Sequence, residues 1–132
     1  MQTKPALVQV GEQVPHFRVE ALDHTQVAYS EIWQRKNLVL VLLPDDGTRE
    51  ADDYSAGLRS HMAELTAHDT VCLMSRDDVA GAPRPGIVIA DRWGEIHFVA
   101  GGRVDDLPGP DGIVEWLRYV QVQCPECQGE TK

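Results

Sequence analysis

The chain predicts an α/β domain in which helices flank a mixed central β-sheet, with a β-hairpin at its N-terminal end. Three observations predict it. Leu38-Val39-Leu40-Val41-Leu42-Leu43 is an apolar run with no polar alternation, as expected of a strand buried on both faces. A helical stretch separates it from a second apolar run, Thr70 to Met74, which makes a β–α–β crossover with two parallel strands. A third run, Ile87 to Ala90, turns through Arg92-Trp93-Gly94 into Glu95 to Val99, an antiparallel hairpin added to the same sheet.

The elements follow in order. Phe17 to Ala21 and Gln26 to Tyr29 are extended segments joined by the turn Leu22-Asp23-His24-Thr25. Ser30 is placed to cap a short helix over Glu31 to Arg35, with Ile32 and Trp33 turned inward. Pro44 ends the first core strand. Thr48 is a good N-cap for a helix reaching about His68, with Glu50, Asp52 and Asp53 near the end where the dipole favours negative charge. Tyr54, Leu58, Met62 and Leu65 share one face of that helix. Gly57 within it costs roughly 1 kcal/mol relative to Ala. Ser75 to Gly86 is a polar loop, and Leu107-Pro108-Gly109-Pro110 breaks the chain before a last helix capped by Asp111, whose packing residues are Ile113, Val114, Trp116, Leu117 and Val120. Helices are expected on both faces of the sheet. Residues 1–132 form a single domain, with an N-terminal arm over 1–10 and a C-terminal tail over 121–132.

Composition narrows the function classes. Apolar residues make up 42% of the chain and charged residues 25%, ordinary values for a globular protein. The net charge of −9 repels phosphate backbones, so no nucleic-acid partner is expected. No apolar run approaches the roughly 20 residues of a membrane span, and the N-terminus lacks a secretory layout, so the expected location is cytoplasmic. The acidic pairs Asp45-Asp46, Asp52-Asp53, Asp77-Asp78 and Asp105-Asp106 read as solvated loops or helix ends rather than a calcium loop. His16, His24, His61, His68 and His97 show no paired ligand spacing.

Of the three cysteines, Cys72 lies in an apolar strand and reads as an inert core residue, while Cys124-Pro125-Glu126-Cys127 is a chemical pair. A Cys-x-x-Cys has three readings. It is a redox dithiol, or half of a tetrahedral zinc site whose other ligands come from a second chain, or an idle pair. The pair follows a helix, at the end unfavourable to a thiolate, and Glu126 and Glu130 push the thiol pKa up further.

The element order resembles the thioredoxin fold, and several stretches are similar to its redoxin and peroxiredoxin branch, the AhpC/TSA type. Val10-Gly11-Glu12-Gln13-Val14-Pro15-His16-Phe17 resembles that group's opening segment, and the likeness runs from about Val10 to Val120. Its most specific part is Pro44-Asp45-Asp46-Gly47-Thr48-Arg49-Glu50-Ala51. Peroxiredoxins carry Pro-x-x-x-Thr-x-x-Cys there. Pro44 and Thr48 match, and Ala51 stands where the attacking cysteine belongs. The resemblance also implies a cis proline before the third core strand, for which Pro85 is placed, and an arginine facing the site, for which Arg84 is the candidate. A cysteine restored at position 51 is expected to have a depressed pKa, because the Thr48 cap and the helix start remain.

Peroxide reduction needs a thiolate, so conventional peroxidase activity is not expected. The leading expectation is a redoxin-type protein with a dithiol–disulfide role through Cys124 and Cys127, acting on a protein partner or as a homodimer. The alternatives are a non-catalytic binding domain built on the degenerate positions Pro44, Thr48, Ala51, Arg84 and Pro85, and a dimer bridged by zinc through Cys124 and Cys127.

Overall fold

A computed structural model describes residues 8–44, 48–67 and 69–123, the side chains of 121–123 apart. β1 (Arg18–Glu20) and β2 (Gln26–Ala28) form an antiparallel hairpin, which a 3₁₀ turn over Tyr29–Glu31 connects onward. Then come β3 (Asn37–Leu42), α1 (Arg49–Arg59), α2 (Met62–Leu65), β4 (Thr70–Ser75), β5 (Gly86–Ala90), β6 (Ile96–Gly101) and α3 (Pro110–Gln123). The four-stranded sheet has the order β4-β3-β5-β6, with β3 parallel to β4 and antiparallel to β5. β6 closes it antiparallel to β5. All six residues of β3 are buried, as the unbroken apolar run requires of a strand paired on both edges.

The pleat of β3 divides the core. Val39, Val41 and Leu43 pack with Leu58 of α1, Leu65 of α2, and Ile113, Leu117 and Val120 of α3. Leu38, Leu40 and Leu42 face the other way, onto Val19, Tyr29, Ile32 and Val79. The three α-helices among the described residues therefore lie on one face. The opposite face is covered by the hairpin, the 3₁₀ turn and the segment between β4 and β5, where helices were also expected. That segment carries Pro83, Pro85 and Gly81 (φ +83°), which remove backbone donors and favour turns, so it covers the sheet as irregular chain.

Four boundaries differ from expectation, one being that α3 runs on to Gln123, past the expected start of the tail at 121. The helix expected from Thr48 to about His68 breaks at Ser60 and His61. The Ser60 hydroxyl donates to the Gly57 carbonyl at 2.8 Å, and Nδ1 of His61 lies 3.0 Å from the same oxygen, so both side chains claim an acceptor that helical amides would use. The apolar face survives the break, with Leu58 and Leu65 buried and Tyr54 and Met62 half-buried. The turn after β2 starts at Tyr29 rather than being capped by Ser30. α3 starts at Pro110, so Asp111 sits inside the first turn instead of capping it; Pro110 fills the first helical position, where no amide is needed.

Candidate functional site

The first turn of α1 is built by Thr48. Its backbone is extended (φ −66°, ψ 158°), and its Oγ1 accepts a hydrogen bond from the Ala51 amide at 3.2 Å. One of the helix's unpaired donors is thereby satisfied, and Glu50 and Asp52 sit at its positive end. The Ala51 side chain, however, faces the core. It is 1% exposed and joins the cluster of Leu43, Leu58 and Met74.

Arg84 reaches this end of the sheet and is held there. Its Nε donates to Asp78 Oδ1 at 2.7 Å, and its Nη1 donates to the carbonyls of Arg76 and Leu43 at 2.6 and 3.4 Å. Leu43 immediately precedes Pro44, so the guanidinium ties the end of β3 to the segment after β4. The Arg84–Pro85 peptide is cis. Gly86 and Gly101 face each other across β5 and β6, and a Cβ at either would run into Pro83. Their lack of a side chain lets this proline-rich segment pack down onto the strand ends. Thus Pro44, Thr48, Ala51, Arg84 and Pro85 all lie around the C-terminal end of β3, the N-terminus of α1 and the start of β5.

Cys72 is on β4, half-buried in the wall of a pocket of about 420 Å³ shared with Leu22, Met62 and Met74. Burial pushes its thiol pKa up to about 12, which disfavours the thiolate at neutral pH. Tyr54, on α1, donates its hydroxyl to the Pro108 carbonyl at 2.7 Å and so ties α1 to the loop before α3; burial raises its pKa. Cys124 and Cys127, with residues 45–47 and 68, fall outside the described residues. In sequence the pair follows directly on the last residue of α3.

One constellation escaped the sequence reading. Asp91 Oδ1 accepts from the amides of Trp93 and Glu95 at 2.9 and 3.0 Å, and Nε2 of His97 lies 3.1 Å from Asp91 Oδ2. One ligand atom each from Asp91, Glu95 and His97 lies within 4.8 Å of the others. The use of Asp91 Oδ1 by two amides identifies this as a cap for the β5–β6 turn, whose Gly94 has φ +88°. An Asp followed by Gly three residues later was the available signal. Against the same turn, next to Gly94, lies Tyr29, stacked on Phe17 with ring centroids 5.4 Å apart. Burial, reinforced by the charge of Asp91, pushes its pKa up to about 12.

By sequence, no family model and no curated protein matches this chain. By structure it is similar to solved peroxiredoxins. A reduced 2-Cys peroxiredoxin of Plasmodium vivax superposes with a TM-score of 0.69 at 14% identity, covering 86% of this chain and 96% of that one. Mycobacterium tuberculosis AhpC gives 0.69 at 17% identity over 87% and 94%. The mitochondrial 2-Cys peroxiredoxin of Plasmodium falciparum gives 0.66 at 10% identity over 93% and 99%. The fold is accordingly the thioredoxin-like fold of peroxiredoxins.

Proposed function

We propose that this chain is a redoxin-type protein that exchanges a dithiol for a disulfide through Cys124 and Cys127 and does not act as a conventional peroxidase. The observation that carries this reading is Ala51. It occupies the first turn of a capped helix on a peroxiredoxin-like fold, and its side chain offers no nucleophile. Cys72 is no substitute, because burial keeps its thiol protonated. The remaining thiols are Cys124 and Cys127. In the exchange, one of them attacks a partner disulfide as thiolate and the second resolves the mixed disulfide. Two electrons and two protons pass to the partner, which leaves as a dithiol while this chain keeps a disulfide.

The competing reading, a binding cleft centred on Arg84, draws less support. That guanidinium is already committed to Asp78 and to two carbonyls of its own chain.

The test is a redox titration of the metal-free protein, read by alkylation and intact mass. A two-electron transition between roughly −180 and −300 mV, lost in the Cys124→Ser/Cys127→Ser variant, supports the dithiol. An absent transition overturns it, and zinc bound at one ion per two chains would assign the pair to a metal-bridged homodimer instead.

A further inference from the structure

The exposed side of α3 carries a feature that the packing of the described residues leaves open. Gly112, Glu115, Trp116 and Tyr119 recur at helical spacing and, with Pro108, line an open groove of about 350 Å³. Its floor is aromatic. Trp116 packs against Phe98 of β6 at 4.9 Å and edge-on to Tyr119 at 5.4 Å, and Tyr119 stands edge-on to His97 at 6.2 Å. Tyr119 remains 49% exposed, one of few large apolar side chains so placed among the described residues. Gly112 keeps the groove open at one end, where Pro108 forms the wall.

The surroundings say what could fill it. Glu115 is shared with an adjoining groove between α2 and α3, lined also by Glu64, Asp111 and the single cation Arg118. Three carboxylates against one guanidinium leave this border negative, on a chain whose net charge is −9. Aromatic side chains bordered on one side by charge suit protein recognition, and a border of one sign selects a partner of the other. An acidic peptide, a nucleic acid or an anionic lipid surface would be repelled.

From this geometry we infer that the α3 groove docks a protein segment with an aromatic or aliphatic anchor flanked by lysine and arginine. Resting on the dithiol reading for its purpose, the groove would hold a basic partner on the helix that precedes Cys124 in sequence. The anchor would lie on Trp116 and Tyr119 against Pro108. The basic flanks would meet Glu115, Asp111 and Glu64.

Two synthetic hexapeptides with the same Leu-Phe centre, one flanked by Lys and Arg and one by Glu and Asp, provide the probe. They are titrated into the isotope-labelled full chain and followed by amide chemical shifts. The basic peptide should move the resonances of residues 108–119 and of Glu64, and bind at least about tenfold more tightly than the acidic one. Its affinity should fall with added salt. Glu115→Lys should weaken it by about tenfold through charge reversal, and the exposed Tyr119→Ser should weaken it by a similar factor with little effect on the fold. Equal binding of both peptides, shifts confined to other surfaces, or indifference to both substitutions would each overturn the inference. The titration is repeated in the Cys124→Ser/Cys127→Ser variant. Binding retained there keeps the groove even if the redox reading fails, and loss of binding there would show that the peptide engages the cysteines and not α3.

Discussion

The first turn of α1 and the stretch of sequence that follows α3 divide between them a setting for a thiolate and the paired thiols. At the start of α1, unpaired amides and the positive end of the dipole favour an anion, and Thr48 fixes the turn. The residue there is Ala51. Cys124 and Cys127 instead follow Gln123 of α3 in sequence, beyond the described residues. The setting suited to a thiolate holds no thiol, and the paired thiols stand elsewhere in the sequence. At the α1 end, then, the side chain placed in the setting that favours an anion is packed into the core.

The largest expected effect tests whether the α1 end still activates a thiol. Ala51→Cys was expected from sequence to give a depressed pKa. The structure reverses that expectation, because the side chain at 51 points into the core and is 1% exposed. A helix terminus supplies at most about 2 kcal/mol toward the thiolate. Complete burial opposes it by up to about 3–5 pKa units, near 4–7 kcal/mol. Burial wins, and the new thiol should titrate above the ordinary value of about 8.5. Adding Asp78→Asn, which removes the carboxylate from Arg84 Nε, should bring it part of the way back. Alkylation rate against pH measures both. A single-variant pKa near 6 would mean that the α1 end remains electrostatically active despite its packing.

How much of this was legible beforehand divides along the same line. The core strands were plain, because uninterrupted apolar runs such as Leu38 to Leu43 have few other uses. Thr48 as a cap was equally readable, since capping depends on two or three adjacent residues. The break at Ser60 was hidden because the stripe through Leu58 and Leu65 continues across it, and periodicity cannot register competition for one carbonyl. The commitment of Arg84 was also hidden. Its partners Asp78 and the Arg76 carbonyl lie in an irregular segment, where sequence spacing carries no direction. The inward aim of Ala51 depends on how α1 sits on the sheet, which is a tertiary fact.

A second effect, in stability, uses Cys72 as the control thiol away from either helix end. Its folded pKa is raised to about 12 by burial. Below the unfolded value of about 8.5 both states hold the proton, and its contribution is fully present. Between about 8.5 and 12 the unfolded chain binds fewer protons than the folded one, so stability falls as pH rises, by up to about 1.4 kcal/mol per pH unit. Tyr29, also raised to about 12, adds to the slope above pH about 10. Urea unfolding across pH 8 to 10.5 should show this decline, and Cys72→Ala should flatten its first part at the cost of a small cavity. An unchanged slope in that variant would mean that the thiol is hydrated and more reactive than its burial implies.

The smallest effect asks what holds each helix at its start. α1 begins at a side-chain cap, whereas α3 begins at Pro110, which needs no amide partner and is already restricted in φ. Thr48→Ala removes one hydrogen bond and should cost about 1 kcal/mol. Pro110→Ala leaves every bond intact and should cost only about 0.4–1 kcal/mol, by releasing the unfolded chain. Paired denaturant titrations give the ratio. If Thr48→Ala proves the cheaper of the two, the first turn of α1 is held by the seating of Ala51 among Leu43, Leu58 and Met74 and not by its cap. A turn anchored in that way could not present a side chain at position 51 to solvent without unpacking the core. The α1 end would then be closed to chemistry by packing as well as by the absence of sulfur.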